Sequence, residues 1–275
     1  MTASGVRVRV AESGSGPTVL LLHGLFLDNT TWNGLRQTLA ATHRVVTPDL
    51  PGFGASEKPH PRRFSYSIES FAEVMADLYA GLELGRASLA GHCLGGSVAV
   101  TLAARHPELV SELVLVSPLC EAPRLGTYGR LGLLPLVGGL VLKQVWNRQI
   151  FSAFFRDQLC APEATVSPST IDAYYDAFDE PAARTSAHEA LRALRDTRQL
   201  ATRASGLRLP TLVAWGSHDK VASASIGRQL ARSIKDSRLE LLDAGHVPQE
   251  ERPSELGSVM LRFFADTRGE ARPGS

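Results

Sequence analysis

Short apolar runs, several of them apolar on both faces, constrain this chain more than any other feature. They are Thr18–Leu22 (TVLLL), Arg44–Thr47 (RVVT), Ala87–Ala90 (ASLA), Leu113–Val116 (LVLV), Thr211–Trp215 (TLVAW) and Leu239–Leu242 (LELL). A strand that is apolar on both sides has to be covered on both sides, which is the situation in a parallel sheet whose crossover helices pack above and below it. The first run, Val6–Val10 (VRVRV), alternates instead and predicts a half-exposed antiparallel edge strand.

Between these runs the apolar period becomes helical. In Ser67–Leu84 the residues Ile68, Phe71, Met75, Leu78 and Leu82 form one stripe. Ser67 is placed to cap the first turn, and Glu69 lies near the positive end of the helix dipole. Leu94–Arg105, Ala222–Ile234 and Pro253–Phe264 read in the same way, the last with proline at its first helical position. Strand and helix alternate, so the class is α/β with a mainly parallel sheet.

The alternation stops between Leu119 and Leu207. This stretch is rich in Leu, Ala, Arg and aromatics. Tyr174, Tyr175 and Phe178 lie one turn apart, and Ala187–Thr202 is a run of helix formers. A structureless loop of such length does not suit a compact domain, so an inserted helical cap is expected. The organisation is then core 1–118, cap 119–207, core 208–268 and a polar tail 269–275.

Composition removes several classes of function. With 29 basic against 28 acidic residues there is no basic surface to track a phosphate backbone, and nucleic acid is set aside as a partner. Cys93, Cys120 and Cys160 are widely spaced and odd in number, which fits a reducing cytoplasm better than a disulfide framework. Residues 1–16 lack the apolar centre of a secretion signal. The longest apolar run, Leu131–Leu142, contains Pro135 and three glycines and falls short of the roughly 20 residues a membrane span needs. No two histidines have metal-ligand spacing, and no metal or cofactor is expected.

The sharpest chemical signal is Ala90–Ser97, AGHCLGGS, between an apolar strand and an Ala-rich helix. A Gly-x-nucleophile-x-Gly elbow puts its nucleophile on a strained strand-to-helix turn, with Gly91 and Gly95 leaving room for the turn and for close helix packing. Cys93 occupies the nucleophile position. The following helix N-terminus and a histidine base within reach would each favour its thiolate. The plainer reading, a buried structural cysteine in a Gly-rich turn, does not use the strand-elbow-helix context.

With these residues in view, the chain resembles the α/β-hydrolase fold superfamily over nearly its whole length. His23–Trp32 (HGLFLDNTTW) is similar to the family's His-Gly oxyanion loop, and Asp49–Ser56 (DLPGFGAS) to its Asp-x-Pro-Gly-x-Gly turn. His106–Pro118 resembles the lead into the sixth strand, and Gly216–Val221 (GSHDKV) and Asp243–Pro253 (DAGHVPQEERP) resemble the acid and histidine loops. The resemblance implies a mainly parallel eight-stranded sheet and a Cys93, His246, Asp219 triad. Backbone N–H groups of Leu25 and Leu94 would meet an oxyanion, while His23, Gly24, Gly91 and Gly95 support the loops. Both Asp219 and His246 would follow strands, at the carboxyl edge where open α/β sheets place their sites.

Asp243 and Glu121 are the rival acids. His43, His60, His106 and His188 are expected to be solvated, and His92 to orient or pack. Phe26, His92 and Trp146 are the predicted pocket residues, with Phe151, Phe154, Phe155 and Leu131–Leu142 adding apolar surface to the cap.

Most family members carry serine where this chain has Cys93. Polyhydroxyalkanoate synthases, dienelactone hydrolases and some thioesterases carry cysteine, and GHCLGG is locally similar to the first of these. The resemblance therefore implies a small-molecule acyl substrate, an ester, thioester or lactone, that is cleaved or transferred through an acyl-Cys93 thioester. Carbon-carbon bond hydrolysis is an alternative because similar motifs occur in enzymes that perform it. A ligand sensor that keeps the fold with a slow triad is a third reading.

Overall fold

The structure, a computed structural model, describes residues 2–120, 145–164, 166–194 and 197–269. The strands are β1 (Thr2–Ala3), β2 (Val6–Arg7), β3 (Val10–Ser13), β4 (Thr18–Leu22), β5 (Arg44–Pro48), β6 (Ala87–His92), β7 (Val110–Val116), β8 (Thr211–Gly216) and β9 (Ser237–Leu242). Seven of them form one sheet in the order β3-β5-β4-β6-β7-β8-β9, with β3 antiparallel to β5 and every other pair parallel.

The register explains the doubly apolar runs. Leu21, Ala90, Val114 and Leu212 are successive partners across β4, β6, β7 and β8 and point to one face. Their neighbours Leu20, Leu89 and Leu113 form the corresponding row on the other. All seven side chains are buried. Helices Asn33–Leu39 and Pro253–Arg268 cover the first face through Leu35, Leu39, Leu256, Met260 and Phe264. Helices Ile68–Gly81 and Leu94–Arg105 cover the second through Phe71, Met75, Leu78, Val98 and Leu102. Ser67 caps its helix as expected, its hydroxyl accepting from the Ser70 N–H at 3.1 Å.

The opening run departs from expectation. It is not one edge strand: Val6–Arg7 pairs with Thr2–Ala3 in a separate two-stranded ribbon, and only Val10–Ser13 joins the sheet. The cause is the turn at 49–57, which takes the intervening hydrogen bonds. Arg9 donates its N–H to Ser56 Oγ and accepts from the Asp49 N–H, and the Arg7 carbonyl accepts from the Glu57 N–H. Among the described residues the sheet therefore has seven strands rather than eight.

Between β7 and β8 lie helices Arg148–Phe154, which continues as a π-turn to Leu159, Pro168–Phe178, Pro181–Ala193 and Arg198–Gly206. Glu121 and Leu131–Leu142 lie outside the described residues. The last of these helices packs on the core: Arg203 bonds Thr101 at 3.1 Å and pairs with Glu69 at 2.7 Å. Two histidines expected in solvent are buried. His43 tucks under the C-terminal helix against Phe264 and within 3.1 Å of the Arg268 guanidinium, and His188 lies on the inward stripe of its helix. No helix among the described residues is long and apolar enough to cross a membrane.

Candidate active site

The elbow begins where β6 ends. Cys93 has φ 52° and ψ −115°, a backbone conformation that non-glycine residues avoid and that persists only when its surroundings hold it. Its N–H donates to the Val116 carbonyl at 3.1 Å, and its own carbonyl accepts from the N–H groups of Gly96, Ser97 and Leu119. A Cβ on Gly91 would collide with the Gly95 carbonyl, and one on Gly95 with the Leu22 and His23 carbonyls. Both glycines are thus required by close backbone approach. Cys93, Cys120 and Cys160 are all buried, and burial pushes the Cys160 thiol up to about 12.

The acid and histidine loops follow β8 and β9. Asp219 accepts from the N–H groups of Val221 and Ala222 through Oδ1, both at 2.9 Å, which leaves Oδ2 for His246 Nδ1 at 2.8 Å. The ring is thereby held with Nδ1 as donor. Nε2 of His246 is buried and, among the described residues, has no partner at ordinary hydrogen-bond geometry, the Cys93 side chain being the group that acts on it. Burial is the strongest single influence and lowers the pKa of this ring, but the charge and hydrogen bond of Asp219 together with the Cys93 side chain outweigh it, so the value is raised to about 10. The rival Asp243 is exposed and binds His218 at 2.9 Å and Arg252 at 3.4 Å. Glu121 lies outside the described residues.

The His-Gly loop follows β4 and approaches the elbow closely: a Cβ on Gly24 would lie 2.6 Å from His92 Nδ1 and 2.9 Å from Cys93 Cβ. His23 is fully buried. Its Nε2 accepts from the Leu50 N–H at 2.8 Å, so Nδ1 carries the proton and donates to the Gly24 carbonyl at 2.8 Å. Burial, only partly offset by the Asp49 and Asp28 carboxylates and the Gly24 bond, lowers its pKa and keeps it neutral. Because the peptide is planar and trans, holding the Gly24 oxygen turns the Leu25 N–H the opposite way. Neither the Leu25 nor the Leu94 N–H has an acceptor among the described residues. The arrangement joins a thiol, an oriented imidazole and two unpaired donors, the parts that covalent attack on a carbonyl requires.

The predicted pocket residues separate. Phe26 and Trp146 meet edge to face at 5.0 Å in a cluster with Phe151, Phe154 and Phe178. His92 lies deeper, between the Gly24 backbone and the histidine loop, where its Nε2–H donates to the His246 carbonyl at 2.7 Å. Burial, reinforced by the neighbouring His246, holds its pKa well below the ordinary histidine value. A cavity of about 440 Å³ lies beyond Trp146, lined also by Asn147, Tyr175, Asp179, Pro181, Arg184 and Thr185. Among the described residues, no group of three or more His, Cys, Asp or Glu is arranged to hold a metal ion.

One supporting residue escapes the sequence reading. Glu251 accepts from the Gly245 N–H at 2.8 Å and from the Ala161 N–H at 2.9 Å, while the His246 N–H donates to the Leu159 carbonyl at 2.6 Å. Burial raises the Glu251 pKa against the pull of these N–H groups. Its signal in the sequence is only position, five residues beyond His246 in a short turn of helix, Pro248–Glu251.

Residues 17–253 match the family described as the alpha/beta hydrolase fold. An uncharacterised protein of Mycobacterium tuberculosis is 31% identical over 97% of this chain and 80% of its own length. A 2-hydroxymuconate semialdehyde hydrolase of a Pseudomonas species is 27% identical over 98% of this chain and 94% of its own. Among solved structures, a thermophilic esterase of Thermogutta terrifontis superimposes with a TM-score of 0.80 at 25% identity, over 95% of this chain and 94% of that one. The chain belongs to the α/β-hydrolase fold family.

Proposed function

We propose that this α/β-hydrolase cleaves, or transfers the acyl group of, an ester, thioester or lactone with an apolar acyl part through an acyl-Cys93 intermediate. The observation that carries the reading is the strained elbow at Cys93 beside a His246 ring that Asp219 holds through Nδ1. With its pKa raised, the His246 ring already holds the Sγ proton, so that Cys93 attacks the carbonyl carbon as the thiolate. The oxyanion forms against the Leu25 and Leu94 N–H groups, and collapse of the tetrahedral centre expels a leaving group that His246 protonates. Water or another acceptor, deprotonated by His246, then attacks the thioester and regenerates Cys93. The aromatic cluster around Phe26 supports an apolar acyl group.

The test is intact mass after brief exposure to a panel of acyl esters, thioesters and lactones. An acyl increment on the wild type that is absent from Cys93→Ala is expected; no increment with any member, together with no turnover, would reject the reading. The Pseudomonas relative's name favours carbon-carbon bond hydrolysis as a second reading. Turnover of 2-hydroxymuconate semialdehyde with a higher kcat/KM than any ester would favour it.

A further inference from the structure

The Leu25 peptide is held from both ends. On one side Gly24 packs on the elbow and its carbonyl is bonded to His23. On the other, Phe26 has φ 65°, a left-handed conformation unfavourable for a bulky side chain unless its contacts fix it. Those contacts are aromatic. The Phe26 ring meets Trp146 at 5.0 Å, Phe178 at 5.5 Å, Phe154 at 6.1 Å and Phe151 at 6.5 Å, all edge to face, the geometry ring quadrupoles prefer. None of these partners belongs to the loop: Phe151 and Phe154 lie on helix Arg148–Phe154, and Phe178 on helix Pro168–Phe178. Leu25 is the single residue between two fixed points.

We propose that Phe26 is a positioning residue: its ring, seated in the aromatic cluster of the helices between β7 and β8, sustains the turn that aims the Leu25 N–H, so that oxyanion stabilisation depends on how those helices are seated. The catalytic half of this inference rests on the acyl-Cys93 reading above.

The experiment compares Phe26→Ala and Phe26→Tyr with wild type by three measurements. The first is turnover of a nitrophenyl ester. The second is alkylation of Cys93 by iodoacetamide, in which sulfur displaces iodide from a methylene carbon and no oxyanion forms. The third is the backbone order parameter of the Leu25 amide. For Phe26→Ala, kcat is expected to fall roughly 30- to 100-fold, less than the roughly 10²- to 10³-fold of outright removal of an oxyanion donor because Leu25 keeps its N–H. Alkylation should stay within about threefold, and the Leu25 order parameter should drop from about 0.85 to below about 0.6. Phe26→Tyr, which keeps the ring, should restore all three. An unchanged order parameter would overturn the proposal, as would alkylation falling in parallel with turnover, which would mean that the whole site had collapsed. If the wild type shows no Cys93-dependent ester turnover, the acyl-Cys93 reading fails by itself, and the order parameter alone decides whether Phe26 positions Leu25.

Discussion

The two edges of the sheet carry different buried polar clusters. At the carboxyl edge, His92 Nδ1, His246 Nε2 and Ser117 Oγ are buried without partners among the described residues, and Phe26, Cys93 and Ser117 all have positive φ. Toward the amino edge Ser13 Oγ and Tyr79 Oη are also buried without partners among the described residues, but one buried polar cluster is fully bonded. Glu112 on β7 accepts from Ser88 Oγ at 2.6 Å and from the Arg268 guanidinium at 3.0 Å, and it is also bonded by Thr267. Arg268 reaches on to Ser88 and His43. An unpartnered buried polar atom and a strained φ each cost free energy, so the carboxyl edge depends on the rest of the molecule for its stability. The amino edge is where part of that stability is built.

This contrast breaks most sharply at Cys93. Cys93→Ala is expected to remove at least about 10⁴-fold of the ester turnover while the melting temperature moves by only a few degrees, because the change deletes one sulfur at a small-residue turn. His246→Ala should follow closely. Asp219→Asn should cost roughly 10²- to 10⁴-fold, since the amide misorients the imidazole and does not stabilise its charged form. Asp243→Asn, on the surface, should stay within about twofold. If Asp219→Asn proved harmless and Asp243→Asn crippling, the acid would have to be reassigned.

The converse change tests the amino edge. Arg268→Ala leaves the Glu112 carboxylate buried without its cation, and the expected loss is about 2–4 kcal/mol of stability. That corresponds to a melting temperature lower by about 5–10 °C, with kcat below the transition unchanged. A large drop in kcat at unchanged stability would dissolve the division between the edges.

A smaller effect concerns pH. The folded-state pKa of His246 is raised from 6.5 to about 10, so its proton is bound more tightly in the folded than in the unfolded chain. The stability this contributes is complete below about pH 6.5 and is lost as pH rises through 10. Thermal melts of wild type and Asp219→Asn should therefore differ most near pH 6 and converge toward pH 10. A gap that widened over that range would reverse the sign of the argument.

How much of this was legible in the sequence depends on the range of the forces involved. The elbow was readable because Gly91 and Gly95 are demanded by backbone contacts within one short turn, and the loops at Gly24 and Asp219 carry similarly local signatures. The doubly apolar strands were readable because each residue's burial follows from strand geometry. What was hidden depends on distant partners. His43 looks like a loop residue until Phe264 and Arg268 arrive from the other end of the chain, and Val6–Val10 looks like one strand until the turn at 49–57 takes its middle hydrogen bonds. Glu251 is an unremarked acidic residue until Ala161 is brought against it.

That last contact limits how freely the molecule can be rebuilt. Gly245 packs so tightly on Leu159, Cys160 and Ala161 that a Cβ there would overlap their backbone, and the His246 N–H hangs on the Leu159 carbonyl. Anyone exchanging the helices between β7 and β8 for those of a relative, in order to change what the hydrolase accepts, would also be exchanging part of the mount for His246. Such a chimera should retain its chemistry only if the splice keeps Leu159–Ala161 and Glu251 together as one inherited unit.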